Sequence, residues 1–368
     1  MQGHRIFIIC GEASGDLHAA NLLKELQKKL PDLTCEAWGG NRLKEEGALI
    51  LKHIRELSFM GFVEVLLNLP TILRNFKLCK KQVSNFKPDL LILVDFPGFN
   101  LRMAEWAKKQ GIKVAYYVSP QLWAWKQGRV EKVKASVDEM YCILPFEKDF
   151  YKQLGYDAQY FGHPLLDEIK RFKETNSEIL KFDKPVLLLM PGSRMQEIKR
   201  KLPLMIQAAS AFTDFQMVVA CTSQIPIEFY QQFKKNYDVE FRVGQSYDLL
   251  NVAQIAFVTS GTATLETALF KVPQVVCYKS SALSIWIAKR VVKIEYISLV
   301  NLILGEKLIE ELIQEDCNVN QMVQSMSKIL TSEEEKQRIL DGYNRLSKLL
   351  GEQGASRRIA DSITETFF

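Results

Sequence analysis

Asp95 ends an unbroken apolar run, Leu90–Val94, and opens the turn Asp95-Phe96-Pro97-Gly98-Phe99-Asn100. A carboxylate at the end of a buried strand is stripped of water, which raises its pKa and makes it a competent base toward a hydroxyl. The same position also suits a carboxylate that only ties its own turn together through backbone hydrogen bonds. Residue type and spacing leave both readings standing. Asn100 is a candidate cap for the helix that must follow. A second carboxylate, Glu12, lies in Gly11-Glu12-Ala13-Ser14-Gly15-Asp16, directly after the apolar run Arg5–Cys10. Small residues there let backbone approach a ligand, and a helix start offers N–H groups to an anion. The alternative is a tight strand-to-helix turn with Ser14 or Asp16 as N-cap. The turn is neither Gly-x-Gly-x-x-Gly nor a lysine-bearing phosphate loop.

Two turns in the second half suit a diphosphate. Pro191-Gly192-Ser193-Arg194 follows the apolar run Pro185–Met190 and leads into a helical pattern. Gly192 and Ser193 keep it small, and Arg194 offers a forked cation to phosphate oxygens. Thr259-Ser260-Gly261-Thr262-Ala263-Thr264-Leu265-Glu266 follows Ile255–Val258. Ser260 through Thr264 supply hydroxyls and backbone donors at another helix start, and Glu266 lies where a carboxylate accepts both hydroxyls of a ribose. Together the turns point to a nucleotide diphosphate. A further turn, Ser119-Pro120-Gln121-Leu122-Trp123-Ala124-Trp125, carries two tryptophans, whose faces stack on sugars, cover lipid or fill a cleft edge. Arg129, Lys132 and Lys134 read as a solvated helix face. The four histidines, His4, His18, His53 and His163, form no metal-spaced cluster, and His163 reads as a structural imidazole. Ser14 and Ser193 lack the Gly-x-Ser-x-Gly elbow of a serine hydrolase. Neither a metal nor an organic cofactor is indicated.

The elements that must position these turns are legible as short apolar runs alternating with amphipathic stretches. Strands are predicted at Arg5–Cys10, Thr34–Trp38, Leu90–Val94, Lys113–Val118 and Glu139–Ile143. A second series is predicted at Pro185–Met190, Phe215–Ala220, Ile255–Thr259 and Gln274–Tyr278. Continuous rather than alternating runs belong to strands buried on both faces, so the fold class is α/β, with parallel sheets covered by helices. A polar segment from about Asp167 to Lys184 separates the two series, giving domains over 1–170 and 171–368. From Asn318 onward the chain reads as helices only, with a stripe at Ile339, Tyr343, Leu346 and Leu350, which must pack on its own body or on a partner chain.

Hydrophobic residues make up 47% and charged residues 25%, as in a soluble globular protein. A net charge of +5 is too mild to indicate nucleic acid, though it suits phosphates or an anionic membrane surface. The seven scattered cysteines contain no Cys-x-x-Cys pair and read as free thiols in a reducing cytoplasm. The N-terminus reads as a first strand, not a signal peptide, and no apolar stretch approaches the roughly 20 residues of a membrane span. Leu57–Leu69 is short but apolar enough to dip into an interface, with Phe59, Met60, Phe62, Val63 and Leu66 as its lipid-facing residues. Ser284–Lys293 reads as a core helix with a charged edge.

The turns just described resemble, as a set, those of the lipid A disaccharide synthases. The resemblance rests on Gly11-Glu12-Ala13-Ser14-Gly15-Asp16, Asp95-x-Pro97-x-Phe99-Asn100, Ser119-Pro120-x-x-Trp123-Ala124-Trp125 and Leu144-Pro145-Phe146-Glu147. Gly162-His163, Pro191-Gly192-Ser193-Arg194, Ser260-Gly261-Thr262-Ala263-Thr264-Leu265-Glu266 and Ser298-Leu299-x-Asn301-Leu302 complete it. They occur in the family's order across nearly the whole chain; Ala19 departs from a glycine common in the family. The resemblance implies a GT-B fold, two Rossmann-like domains facing a cleft. It implies that UDP-2,3-diacylglucosamine donates its sugar to 2,3-diacylglucosamine 1-phosphate, giving a β-1,6-linked disaccharide 1-phosphate and UDP for lipopolysaccharide. On the same ground Asp95 is the base, Arg194 neutralises the leaving UDP, and the Ser260–Thr264 backbone with Glu266 holds the nucleotide. Glu12, Ser14 and Asn301 line the cleft, Asn100 also binds substrate, no metal is needed, and the work is done at the inner face of the Gram-negative inner membrane. A homodimer with exchanged C-terminal helices is also implied. Rivals at this stage are a GT-B enzyme acting on soluble sugars or a UDP-sugar epimerase, against which the apolar Leu57–Leu69 stretch counts. A nucleotide-dependent oxidoreductase lacks its Gly-x-Gly-x-x-Gly here. A silent lipid-binding protein would have no need of the carboxylate and the arginine.

Overall fold

The computed structural model describes residues 3–57, 69–124, 127–175, 179–280 and 295–368. Phe59, Met60, Phe62, Val63, Leu66, Trp125 and the Ser284–Lys293 stretch lie outside the described residues. The chain divides into two compact units, Met1–Asp167 with Gly351–Phe368, and Glu168–Leu350.

In the first unit, β1 (Arg5–Cys10), β2 (Thr34–Gly39), β3 (Leu49–His53), β4 (Leu90–Val94), β5 (Lys113–Tyr117), β6 (Glu139–Cys142) and β7 (Gln159–Tyr160) form one sheet. Their order is β3-β2-β1-β4-β5-β6-β7, and every pairing is parallel. Side chains alternate across it. Phe7, Ile9, Trp38, Leu91, Leu93 and Tyr116 face one core, shared with Cys79 and Val83 of the helix Leu69–Phe86 and with Met103 and Ala104 of the helix Pro97–Lys109. Ile6, Ile8, Ile92, Ala115 and Tyr117 face the other, with Leu22, Leu23 and Leu26 of the helix Ala13–Lys29.

That second core is completed from the far end of the chain. The helix Ala355–Phe367 lays Ile359, Ala360, Ile363 and Phe367 into it. Tyr141 Oη lies 3.1 Å from Ser362 Oγ, and Arg358 donates to the carbonyl of Phe161 at 2.6 and 3.1 Å. Asp167 accepts from the amides of Gly354 and Ser356. The expected partition at 1–170 and 171–368 is therefore corrected at its end: residues from Gly351 onward belong with the first unit. Sequence order hides this, because the stripe on the last helix fits a core built hundreds of residues earlier.

In the second unit, β8 (Val186–Met190), β9 (Gln216–Cys221), β10 (Val239–Val243), β11 (Ala253–Thr259), β12 (Gln274–Tyr278) and β13 (Glu310–Ile313) run β10-β9-β8-β11-β12-β13. All pairings are again parallel.

Both orders contain one reversal. The first sheet grows outward from β1 to β3 and then restarts beside β1 with β4. The second grows from β8 to β10 and restarts beside β8 with β11. At such switch points the loops leaving two adjacent strands diverge, and a crevice opens beyond their carboxyl ends. Cys10 pairs with Val94, so Gly11 and Asp95 leave side by side. Met190 pairs with Val258, so Pro191 and Thr259 do the same. Four of the five turns singled out by residue type are the four turns at the two switch points; the turn that opens at Ser119 follows β5 instead.

Candidate active site

In the first unit, Asp95 and Phe96 both have φ of 49°, a left-handed conformation that non-glycine residues adopt at a cost. The surroundings hold it. The Asp95 amide donates to Tyr117 O at 3.0 Å. Its carbonyl accepts from Tyr116 Oη at 2.6 Å and from Asn100 Nδ2 at 2.8 Å. The Phe96 ring lies flat on Gly11, where any Cβ would come within 2.5 Å of it, and stacks on Phe99 at 5.3 Å. Phe99 in turn stacks on Trp38 at 5.5 Å. The bare backbone of Gly11 thus admits the ring that fixes the neighbouring turn, and with it the direction of the Asp95 side chain.

Burial pushes the Asp95 carboxyl up to about 6, the Glu12 carboxylate pushes the same way, and the Phe96 amide opposes both. Such a group is ionised at neutral pH and more basic than an ordinary aspartate, which is what deprotonating a hydroxyl asks of it. The sign with pH follows: a base is competent when unprotonated, so kcat/KM is expected to fall about tenfold per pH unit below about pH 6. Glu12→Gln removes a like charge and should move that limb to lower pH. A limb unmoved in the rate profile of this variant would separate Glu12 from the ionisation of Asp95.

The neighbouring turns are held by buried carboxylates. Asp16, expected as a cap of its own helix, instead caps the next one, Asn41–Glu45: its oxygens accept from the amides of Gly40, Arg42 and Leu43 at 2.6, 3.0 and 3.3 Å. Glu12 is the N-cap residue of Ala13–Lys29, and Ser14, inside the first turn, is exposed. Glu147, 1% exposed, accepts from Trp123 Nε1 at 3.0 Å and from the amides of Ile143 and Leu144. It ties the turn after β5 to the turn after β6, and burial pushes its carboxyl up to about 7. His163 is buried, accepts from the Leu165 amide at 3.2 Å and is driven by burial down to about 3, as suits a structural imidazole.

In the second unit, Gly192 turns with φ 114° and Gly261 with φ 131°, values open to glycine. Arg194 is the N-cap residue of Met195–Ala209, and Gly261 that of Thr262–Leu269; no side chain caps either start. First-turn amides are thereby presented at both helix starts. Ser193, Arg194 and Thr262 are exposed; Gly192, Ser260, Gly261, Ala263 and Glu266 are half-buried. Arg194 Nη1 lies 3.3 Å from Glu197 Oε1. Thr264 is buried and turns its hydroxyl onto Gly261 O at 2.8 Å. Glu266 accepts from Tyr247 Oη at 3.1 Å, and burial raises its pKa. Among the described residues no group of His, Cys, Asp and Glu is arranged to hold a metal ion.

A family model described as lipid-A-disaccharide synthetase matches residues 6–365. The lipid-A-disaccharide synthases of Myxococcus xanthus and Geobacter sulfurreducens are 39% and 34% identical to the chain, over 98% of it and 97% of each relative. The chain belongs to the lipid-A-disaccharide synthetase family. Among solved structures, UDP-GlcNAc 2-epimerase from Neisseria meningitidis bound to UDP-GlcNAc is similar with a TM-score of 0.68 at 12% identity, covering 98% of this chain and 100% of that one. The glycosyltransferase of kitacinnamycin is similar at 0.68 and 13% identity, covering both chains fully. At such identities the likeness concerns the fold, which is GT-B. Membership in the lipid-A-disaccharide synthetase family makes the chain a glycosyltransferase of the disaccharide-forming step.

Two residues carried over from that family have different surroundings from those expected. Asn100 does not cap the helix after β4, whose N-cap is Phe96. It is fully buried four residues in, and its Nδ2 donates to the carbonyls of Asp95, Val94 and Ile9 at 2.8, 3.2 and 3.3 Å. Asn301, expected to line the cleft, is fully buried. Its Nδ2 donates to Ile309 O and Glu311 Oε1, both at 2.9 Å, and its Oδ1 accepts from the amides of Leu308 and Ile309 at 2.9 and 3.0 Å. These two asparagines fasten turns. Glu311 on β13, not singled out in the sequence, accepts from Ile297 N, Ser298 N and Ser298 Oγ as well. Ser260 Oγ then donates to Ile297 O at 2.7 Å, so the nucleotide-suited turn rests on the segment Glu311 holds. Tyr116 and Tyr247 were also missed; their hydroxyl functions are invisible inside an apolar run and an unremarkable helix.

Proposed function

We propose that the chain transfers the acylated glucosamine of UDP-2,3-diacylglucosamine to the 6-hydroxyl of 2,3-diacylglucosamine 1-phosphate. The products are the β-1,6-linked tetraacyl disaccharide 1-phosphate and UDP. What supports this is the family membership, together with a raised carboxyl, Asp95, at the switch point of the first unit and two glycine turns with Arg194 at that of the second, each taken by itself. In this reading Asp95 takes the proton of the 6-hydroxyl as that oxygen bonds to the anomeric carbon from the face opposite UDP. The bond from the anomeric carbon to the phosphate oxygen breaks, the configuration inverts, and positive charge spreads over the sugar ring as in other glycosyl transfers. Arg194 and the first-turn amides that follow Arg194 and Gly261 take up the charge left on UDP. Glu266, held by Tyr247, accepts from the ribose hydroxyls. Glu12 and Ser14 bound the acceptor sugar.

Both substrates carry acyl chains, so the protein works at a membrane surface, the inner face of the inner membrane. Its net charge of +5 favours an anionic one. No helix among the described residues is long and apolar enough to cross a membrane. Phe59, Met60, Phe62, Val63 and Leu66 are the proposed lipid contacts. The helix Ala355–Phe367 follows two glycines of positive φ, Gly351 and Gly354, a short joint that also suits exchange of this helix between two copies.

The test is to incubate the protein in detergent with both lipids and follow UDP and disaccharide. Absence of turnover, with UDP binding retained, would remove the substrate assignment. Arg194→Ala should lower UDP affinity by roughly 10- to 100-fold, the worth of a charge-assisted hydrogen bond, together with the rate. An unchanged affinity by calorimetry would take Arg194 off the diphosphate.

A further inference from the structure

Lys201 lies two turns into the helix Met195–Ala209 and is 1% exposed. Its ammonium hydrogen-bonds to Thr259 Oγ1 and stands 3.8 Å from Glu197 Oε2. Thr259 is the last residue of β11 and the stem of the Ser260–Thr264 turn. Glu197 lies over the other turn: a Cβ on Gly192 would come 2.4 Å from Glu197 Oε2 and 3.4 Å from Thr259 Cγ2. The other oxygen of Glu197 meets Arg194. One buried cation therefore reaches, through one partner each, the stems of both anion-suited turns at the second switch point.

Stability does not account for a charge in this place. Burying an ammonium is unfavourable, and an apolar side chain of similar length fills such a site without that cost. In a site of low dielectric, however, a fixed charge acts strongly on an anion bound just outside it. We propose that Lys201 is a positioning residue for the nucleotide diphosphate, holding Thr259 and Glu197, and through them both turns, in anion-binding geometry while lending them its charge. This rests on reading the second unit as the UDP-sugar site.

The groups facing the ammonium are Glu197 and Arg194 at the start of its own helix, Thr259 on β11, Cys277 on β12 and Cys317 before the helix Val319–Thr331. Burial lowers the lysine's pKa from its ordinary range, and Glu197 and the two thiols oppose this. Its charge is thus lost at a lower pH than that of an exposed lysine.

The experiment is calorimetric titration of the full chain with UDP between pH 7 and 9.5, comparing wild type, Lys201→Met and Thr259→Val, with thermal unfolding of each. The expected result is a UDP affinity at least about tenfold weaker for Lys201→Met, about the worth of one hydrogen bond to a charged group. Its melting temperature should equal or exceed that of wild type. Wild-type affinity should decline through the alkaline range, and the variant's should not share that decline. Thr259→Val, which keeps the charge, should weaken UDP binding while keeping the decline. Wild-type affinity and pH profile in Lys201→Met, with a lower melting temperature, would make the lysine a structural tie and overturn the proposal. If Lys201→Met fails to fold, an unchanged affinity in Thr259→Val overturns it instead. A wild-type chain that gives no UDP binding at all would remove the nucleotide reading itself, an outcome distinct from a variant that binds like wild type.

Discussion

Asp95→Asn is expected to lower turnover by about 10²- to 10⁴-fold, the span of general base catalysis, with UDP affinity unchanged. The substitution is clean for a structural reason. Asparagine has nearly the same shape and tolerates positive φ better than most residues, so the left-handed turn at Asp95 and Phe96 should survive. Stability should move the opposite way to activity. A carboxyl whose folded pKa is raised to about 6 binds its proton more tightly folded than unfolded. It therefore costs stability once the pH rises above the unfolded value, and most fully above about 6. A neutral asparagine removes that cost, so at pH 7 to 8 the variant should melt no lower than wild type. Single-turnover measurement of disaccharide, with a thermal melt alongside, checks both halves. Turnover near wild type would leave Asp95 as a loop tie, the alternative that residue type alone had kept open.

The second large effect falls on folding. Asn301→Leu should destabilise the protein by about 3–5 kcal/mol, because it leaves several buried groups unpaired at once. The amides of Leu308 and Ile309 lose their acceptor, and Ile309 O and Glu311 lose a donor. The damage should reach the site as well, since Glu311 also holds Ile297 and Ser298, on which Ser260 leans. Urea denaturation and UDP titration of this variant measure the two consequences. A loss of only about 1 kcal/mol, the size of an average substitution, would mean that the segment keeps its shape without Asn301.

How far the fold was legible follows from where each strand sits. The nine strands expected from continuous apolar runs are all present, with ends shifted by two residues at most. The four that were not foreseen, β3, β7, β10 and β13, are the outer strands of the two sheets. An edge strand is covered on fewer sides, so Leu49–His53 is only half-buried and Gln159–Tyr160 shows no apolar run at all. The sheet order, and so the switch points, cannot be read along the chain. The turns could, because a carboxylate or an arginine after an apolar run is visible as a pattern. What was not legible is which polar residues serve the ligand and which serve the turn. Asn100 and Asn301 carry the same amide as any ligand-binding asparagine; only their burial assigns them to backbone partners. Lys201 stands in a run of three cations, Lys199-Arg200-Lys201, and nothing in that run tells which of them the helix turns inward.

The return of the last helix to the first sheet bears on how the protein is made. When residue 167 has left the ribosome, the first sheet can form, but the face that awaits Ile359, Ala360, Ile363 and Phe367 is still bare. Roughly 180 residues must be added before the covering helix is synthesised, about 10–40 s at ordinary translation rates. For that interval the nascent chain exposes an apolar surface that its own remaining sequence will later hide. A stop codon shortly before Gly351 would leave it bare for good, so chains cut there are expected to aggregate or be degraded even though every turn of the site is intact.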